Sequence, residues 1–434
     1  MARVPYRLAD ALRRAAHRNG TIRAAPLGSS SRGRPRKPRR EANGRPAALD
    51  TVIRLAAPVS LRLLRRLARS GRLERIAVLG SVKTARALKR ELELADRVRS
   101  MVVGRIGTSD DGLPDREVPV LGNLEELYEI VATNEIDLIV ISGEVSRAEV
   151  FDHAVASVAD PVWVCEFSDF YEAIFGHVPT AEINGSWFEY LLHPSYGERA
   201  RLKRAIDLFG AVVGGIGLLP LMAVLALGIK RDGGPVLFKQ TRIGAGGQPI
   251  TIYKLRSMGV GADGSAQWSS VDDPRVTRIG RFLRRTHLDE LPQLLNVLRG
   301  EMSLVGPRPE QPKFVTRLER TVPLYQRRHL IKPGITGWAQ ICCGYAGSDV
   351  GSAWKLCHDL FYMKHRSLRF DLVVLAYTLR TLFFEHEFEI EPQEDAAFVA
   401  ASAMLQSARR RFDPAALEER IPNEDLRIEK ARVG

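Results

Sequence analysis

The spacing of apolar positions changes period along the chain, and each change predicts a different element. Residues 51–70 place leucines and arginines at helical spacing, interrupted by Pro58. They predict a basic amphipathic helix over 51–72 that lies on a membrane surface or packs on its own domain. From Arg75 the pattern turns into short apolar runs at 76–80, 102–103, 118–121, 136–141 and 162–164, separated by helical stretches at 82–94, 123–133 and 147–158. Strands alternating with helices predict an α/β fold with a doubly wound parallel sheet, Rossmann-like, over 75–182. Residues 208–229 then form a run of 22 without a charged or polar side chain. As a helix that run is about 33 Å long, enough for a bilayer core of roughly 30 Å. Pro220 lies near its middle, and basic residues flank both ends: Arg201, Lys203 and Arg204 before, Lys230 and Arg231 after. A proline bend and cytoplasmic charge at both ends predict a re-entrant membrane helix that enters, bends and returns. The shorter apolar stretch 372–384, broken by Arg380, predicts an interfacial helix. Between these, period-two apolar positions over 235–258 predict strands with Lys254 and Arg256 on one side.

Length and charge refine this picture. A chain of 434 residues is long for one core and implies two folded domains. Net charge is +13, and residues 1–50 carry thirteen Lys/Arg against three Asp/Glu, so most of the excess sits in an N-terminal arm. Its Arg-Pro-Gly composition cannot bury apolar surface and predicts a basic disordered arm, with attraction to anionic lipid as the sharper alternative. No aromatic or helix-turn-helix signature accompanies those charges, which argues against nucleic-acid binding, and no apolar core follows them as in a secretory signal. Cys165, Cys342, Cys343 and Cys357 form no CxxC pair and predict free thiols in a reducing compartment. Residues 386–434 read as a charged, solvated tail. Gly80 keeps only the first glycine of a dinucleotide fingerprint, so the sheet domain reads as a regulatory or scaffolding module.

Candidate chemistry gathers after the apolar segment. Asp289 and Glu290 lie in the run Leu288-Asp289-Glu290-Leu291-Pro292-Gln293. Before it come Lys254, Arg256 and Arg284; after it come Val305-Gly306-Pro307-Arg308-Pro309 and Lys332-Pro333-Gly334-Ile335-Thr336-Gly337. Singly, each is an ordinary helix start, surface charge or turn. Together they address one electrostatic problem. A carboxylate attacking a diphosphate meets repulsion of about 1 to 4 kcal/mol per charge pair at 4 Å. Guanidiniums match phosphate bidentately, which suits Arg284 and Arg308. Mg²⁺ takes one or two carboxylates plus phosphate oxygens, which suits Glu290 as metal ligand. The N-terminus of the helix after the carboxylates adds positive potential. Asp289 is then free to act as nucleophile through a covalent phospho-intermediate.

These motifs, with Lys203-Arg204-Ala205-Ile206-Asp207 and Lys254-Leu255-Arg256-Ser257-Met258, resemble the bacterial polyprenyl-phosphate sugar-1-phosphate transferases, the monotopic phosphoglycosyl transferases. The resemblance covers about 200–385. Residues 75–180, with Phe170-Tyr171-Glu172 and Gly176-His177-Val178-Pro179, resemble the Rossmann-like domain of the long exopolysaccharide-type members. It implies an α-rich transferase domain over 200–385 with a re-entrant membrane helix, at the cytoplasmic face of a bacterial inner membrane. It implies that Asp289 attacks the sugar-bearing phosphorus of a UDP-sugar with release of UMP, and that undecaprenyl phosphate then accepts the sugar phosphate, the first step of a surface polysaccharide. Asp289, Glu290 and Arg284 are the implied catalytic residues, with Mg²⁺ on Glu290. Lys254, Arg256, Arg308, Pro309, Lys332, Thr336, Gln340 and Asp359 are the implied substrate-binding residues. The expected partners are a UDP-sugar, undecaprenyl phosphate and inner-membrane lipid, with a homodimer as one possible assembly and no nucleic acid. The competing reading is a membrane-anchored scaffold whose transferase domain is inactive. The chain departs from the family pattern at His287, often Ser, and at Ile341-Cys342-Cys343-Gly344-Tyr345, which replaces a more polar stretch. Long members usually begin with several transmembrane helices, where this chain has the basic arm.

Overall fold

The computed structural model describes residues 64–383 apart from short stretches, of which 108–115, 143–161, 260–273 and 344–347 are the longest or bear on the site. The basic arm, most of the 51–72 helix, the 147–158 helix and the C-terminal tail lie outside the described residues. Of the 51–72 segment, Leu64 and Arg66–Ala68 are helical; Leu64 and Leu67 pack on the protein core and Ala68 is buried. That end packs on its own domain.

A parallel sheet of order β3-β2-β1-β4-β5 is built from β1 (Arg75–Leu79), β2 (Met101–Gly107), β3 (Val120–Asn123), β4 (Leu138–Ile141) and β5 (Trp163–Glu166). Strand β1 is central and apolar on both faces, as a strand covered on both sides must be. Ile76 and Val78 join Leu138 and Val140 under Leu88 and Leu92 of α1 (Val82–Leu94) and Phe170 of α3 (Phe167–Phe175). Ala77 and Leu79 join Ile139 and Ile141 under Leu127 and Ile130 of α2 (Leu127–Thr133). Helices on both faces make the sheet doubly wound, as the alternation predicted. The predicted 123–133 helix begins as a 3₁₀ turn at Leu124–Glu126.

Helix α3 leads into the helical layer. Glu172 on α3 is fully buried and accepts from Trp187 Nε1 at 2.8 Å and from Lys364 Nζ at 3.1 Å. Lys364 lies on α9 (Asp349–His365), so a carboxylate of the sheet layer is neutralised by the helical layer. Ala173, Val178 and Trp187 share one core with Trp338, Leu356 and Phe361. Among the described residues, that shared core joins the sheet layer to the helical layer.

Helix α4 runs from Ser195 to Lys230, starting well before the predicted 208, and contains Pro220. Its residues Ala200–Lys230 are long and apolar enough to cross a membrane, the one such helix among the described residues. Ala211, Leu225 and Ile229 are buried along one stripe, while Phe209, Ile216, Val224 and Leu227 lie 65–72% exposed along the opposite one. A water-exposed stripe that apolar is costly. Both ends dock on the same block. Arg204 donates to the carbonyls of Val297 and Leu298 at 2.6 and 3.0 Å, and Ile229 O accepts from Arg256 Nη2 at 3.2 Å. The predicted interfacial stretch is part of α10 (Leu368–Phe383), whose Phe370 and Val374 enter the core while Leu372 and Leu379 stay exposed.

Candidate active site

The site grows from short elements held together by close backbone contacts. Strands β6 (Leu237–Ile243) and β7 (Pro249–Leu255) form an antiparallel hairpin that delivers Lys254 near its end. Helix α5 (Arg278–Arg285) carries Arg284, whose Nε donates to Ser257 Oγ at 2.9 Å. Asp289 and Glu290 lie on a 3₁₀ turn, Leu288–Gln293, entered from His287 in the left-handed conformation (φ 54°) and leading into α6 (Leu294–Arg299). The carboxylates therefore sit on the tight turn ahead of a six-residue α-helix. Their charges are met by side chains. Buried Asn296 locks this unit to the hairpin, donating to Thr251 O at 2.7 Å and accepting from Tyr253 N at 3.3 Å.

The two glycine-proline motifs explain each other. Strands β8 (Ser303–Val305) and β9 (Gly334–Thr336) pair in parallel, with Gly306 N donating to Thr336 O and Gly334 N to Pro307 O, both at 2.9 Å. A Cβ on Gly306 would lie 2.6 Å from Lys332 O, and one on Gly334 would overlap Gly306. Only glycine permits this approach, and the loop that follows brings Arg308, two residues after Gly306, to Glu290.

Glu290 is the hub. Arg308 grips it bidentately at 2.6 and 3.2 Å, and Lys254 Nζ lies 2.8 Å from the same Oε1. Burial alone would raise the Glu290 pKa, but Arg308 and Lys254 overcome it and hold the carboxyl well below its usual range. Asp289, next in the chain and 8% exposed, goes the other way. Burial raises it, Lys254 pulls it down only partly and Glu290 pushes it up again, so that it titrates at about 6. Arg308 and Arg284 also act on it. Adjacent carboxylates pushed apart in this manner take different roles.

The predicted site residues thus divide. Lys254, Asp289, Glu290 and Arg308 come together, with Arg284 acting on Asp289. Arg256 does not join them. Its guanidinium donates to the carbonyls of Pro235, Met258 and Ile229, because the last turn of α4 leaves carbonyls without helical partners. Pro309 offers its carbonyl to Arg242 Nη1 at 3.2 Å. Thr336 Oγ1 bonds Thr378 Oγ1 on α10 at 2.7 Å, and Gln340 Nε2 donates to Ile335 O at 3.3 Å. Lys332 is exposed and neighbours Arg204, on the α4 side of the block. Partial desolvation and the charge of Arg204 lower its pKa.

Asp359 is buried and paired with Arg328 at 2.8 Å. Arg328, which no motif marks in the sequence, also donates to Tyr325 Oη at 2.6 Å and to Arg308 O at 2.9 Å. Asp359 therefore positions the Arg308 loop through Arg328. Arg242 and Glu310 were missed as well; they pair at 3.4 Å beside the same loop. In sequence Arg328 is one of three consecutive basic residues, 327–329, a pattern that reads as surface charge.

Residues 198–385 match the family model described as bacterial sugar transferase, and residues 48–160 match one described as CoA-binding domain. A UDP-N-acetylgalactosamine-undecaprenyl-phosphate N-acetylgalactosaminephosphotransferase of Aeromonas hydrophila is 44% identical over 185 residues, 42% of this chain and 44% of the relative. A UDP-glucose:undecaprenyl-phosphate glucose-1-phosphate transferase of Escherichia coli (strain K12) is 36% identical over 264 residues, 59% of this chain and 57% of the relative. The exopolysaccharide production protein PSS of Rhizobium leguminosarum bv. phaseoli is 42% identical over 187 residues, 41% of this chain and 93% of the relative. The chain spans about half the length of the first two. With a short relative matched over nearly its whole length, and with a doubly wound sheet ahead of the matched helical region, the chain belongs to the bacterial sugar transferase family.

Proposed function

We propose that the protein transfers a sugar-1-phosphate from a UDP-sugar to undecaprenyl phosphate, as the first step of an exopolysaccharide or related surface glycan. The observation that carries this reading is the split of the carboxylate pair: Glu290 locked by Arg308 and Lys254, Asp289 buried beside it and titrating at about 6. A carboxylate so placed is mostly ionised at neutral pH yet poorly solvated, which favours attack. An Asp289 oxygen forms a bond to the sugar-bearing phosphorus while the phosphoanhydride bond breaks and UMP departs with the electron pair. An oxygen of undecaprenyl phosphate then attacks the same phosphorus and returns Asp289 as carboxylate. Lys254, Arg308 and Arg284 supply fixed positive charge for the phosphoryl oxygens.

The donor set also fits Mg²⁺. Three of the roughly four lone-pair positions of the Glu290 carboxylate are used by Lys254 and Arg308, which leaves one on Oε2. A single carboxylate completed by phosphate and water is an ordinary Mg²⁺ environment. When bound there, the ion would offset charge on the diphosphate.

Helix α4 supports work at a membrane face. Its outward stripe is apolar, and both ends are tied to one block, which favours a segment entering and leaving on the cytoplasmic side of an inner membrane. The relatives are named for different sugars, N-acetylgalactosamine and glucose, so the test uses both. UMP release is measured in detergent with Mg²⁺, undecaprenyl phosphate and UDP-glucose or UDP-N-acetylgalactosamine. Turnover with one of them, abolished together with any phospho-sugar adduct by Asp289→Asn, is expected. Normal turnover by that variant would overturn the mechanism. Cysteine labelling at the two ends of α4 should report one side of the membrane.

A further inference from the structure

The sheet layer contains a cluster of polar side chains that the transferase reading does not use. In the order β3-β2-β1-β4-β5 the connections reverse between β1 and β4, and the carboxyl ends of those strands are where doubly wound sheets take ligands. At that point Gly80 has φ 148°, and a Cβ there would overlap Ser142 Cβ and lie 3.1 Å from Ser142 Oγ. Helix α1 begins immediately after, with Ser81 Oγ accepting from Thr84 N at 3.3 Å and lying 2.9 Å from Thr84 Oγ1. The 13-residue α1 directs its positive end here. Ser142 is fully buried, and its Oγ has no hydrogen-bond partner among the described residues. A buried hydroxyl facing a helix N-terminus and left without a partner is the signature of a missing ligand oxygen. One anion is already present. Thr84 Oγ1 donates at 3.0 Å to Glu182 Oε2, a carboxylate from the segment that joins the sheet to the helical layer.

We propose that this cluster is an oxyanion site for the phosphate group of a small ligand, and that Glu182 is a tethered stand-in which such a ligand displaces. Glu182 is well placed to report displacement. Its own N–H donates to Pro179 O, Val178 N donates to Cys357 O at 3.1 Å, and Thr180 Oγ1 lies 3.7 Å from Cys357 Sγ. Cys357 is on α9, two residues from Asp359, the partner of the Arg328 that holds Arg308. Regulation through this route rests on the proposed transferase activity; the binding site itself does not.

The test uses the full chain in detergent, with inorganic phosphate and coenzyme A as separate probes, so that free phosphate and phosphate carried on a nucleotide are distinguished. Glu182→Gln keeps the shape and the Thr84 bond but removes the competing charge. It should tighten binding of at least one probe by about tenfold. Adding Ser142→Ala should reverse that gain without lowering the melting temperature, since the hydroxyl has no partner to lose. In the wild-type protein, saturating probe should speed amide hydrogen exchange at 178–182. Binding unchanged by Glu182→Gln, or no binding of either probe by either protein, would leave Glu182 a helix cap and overturn the proposal. Exchange at 178–182 that ignores bound probe would overturn the displacement. None of these readouts depends on sugar transfer, so a failure of the transferase reading remains separate.

Discussion

Asp289→Asn should make the protein inactive and more stable at neutral pH. Asp289 is 8% exposed and titrates at about 6 against an ordinary 3.8, with burial as the largest cause. The folded state therefore binds this proton more tightly than the unfolded chain, and stability falls as pH rises from 3.8 through about 6. Above that window the gap corresponds to a penalty of about 3 kcal/mol; at pH 4.5 it has shrunk to about 1 kcal/mol. Asparagine has nearly the same shape and no charge to desolvate, so it should recover most of the difference. Thermal melts of both proteins in one detergent, at pH 7.5 and 4.5, measure it. The variant should melt several degrees higher at pH 7.5 and lose most of that advantage at pH 4.5. A variant that melts lower than wild type at pH 7.5, or whose gain is the same at both pH values, would refute the argument that desolvation of a nucleophile is stored in the fold.

Glu290→Gln should act oppositely, leaving the partly buried Lys254 and the one-third exposed Arg308 without a counter-charge at a cost of about 3 kcal/mol, the low end for a buried pair, read as a drop in melting temperature. Arg328→Met and Asp359→Asn should each destabilise by a similar amount, yet the double variant should lose about 1 kcal/mol or more less than their sum, because the second change removes a charge the first left stranded. Additive losses would deny the pair its role in holding Arg308. Gly280→Ala should abolish UMP release or folding, since its Cβ would overlap Ser257 O, and Ser257 Oγ holds Arg284. Gly215→Ala, with nothing within 4 Å, should leave activity intact and stabilise α4 by up to about 1 kcal/mol.

Much of the architecture was legible because local pattern and burial agree. The apolar runs of β1 and β4 are buried on both faces, so their composition reports their place in the sheet. Helix α1 has the predicted bounds because its amphipathic period is regular. The centre of the site was legible for another reason: Asp289, Glu290, Arg308 and Lys254 fall in short motifs whose chemistry makes sense only together. Arg328 could not be found that way. A charge within a basic run reads as solvated, and only the fold shows it buried between Tyr325, Asp359 and Arg308 O.

The sequence by itself determined the fold class, the apolar length of α4 and the identity of the carboxylate pair, since period and composition are properties of the chain. The tertiary structure decided which charges meet. Lys254 and Arg256 are two residues apart, yet one neutralises Glu290 and the other caps the end of α4. It also decided that Asp289 and Glu290 differ. A pKa depends on depth of burial and on partners brought from 18 and 36 residues away, and no local pattern records either.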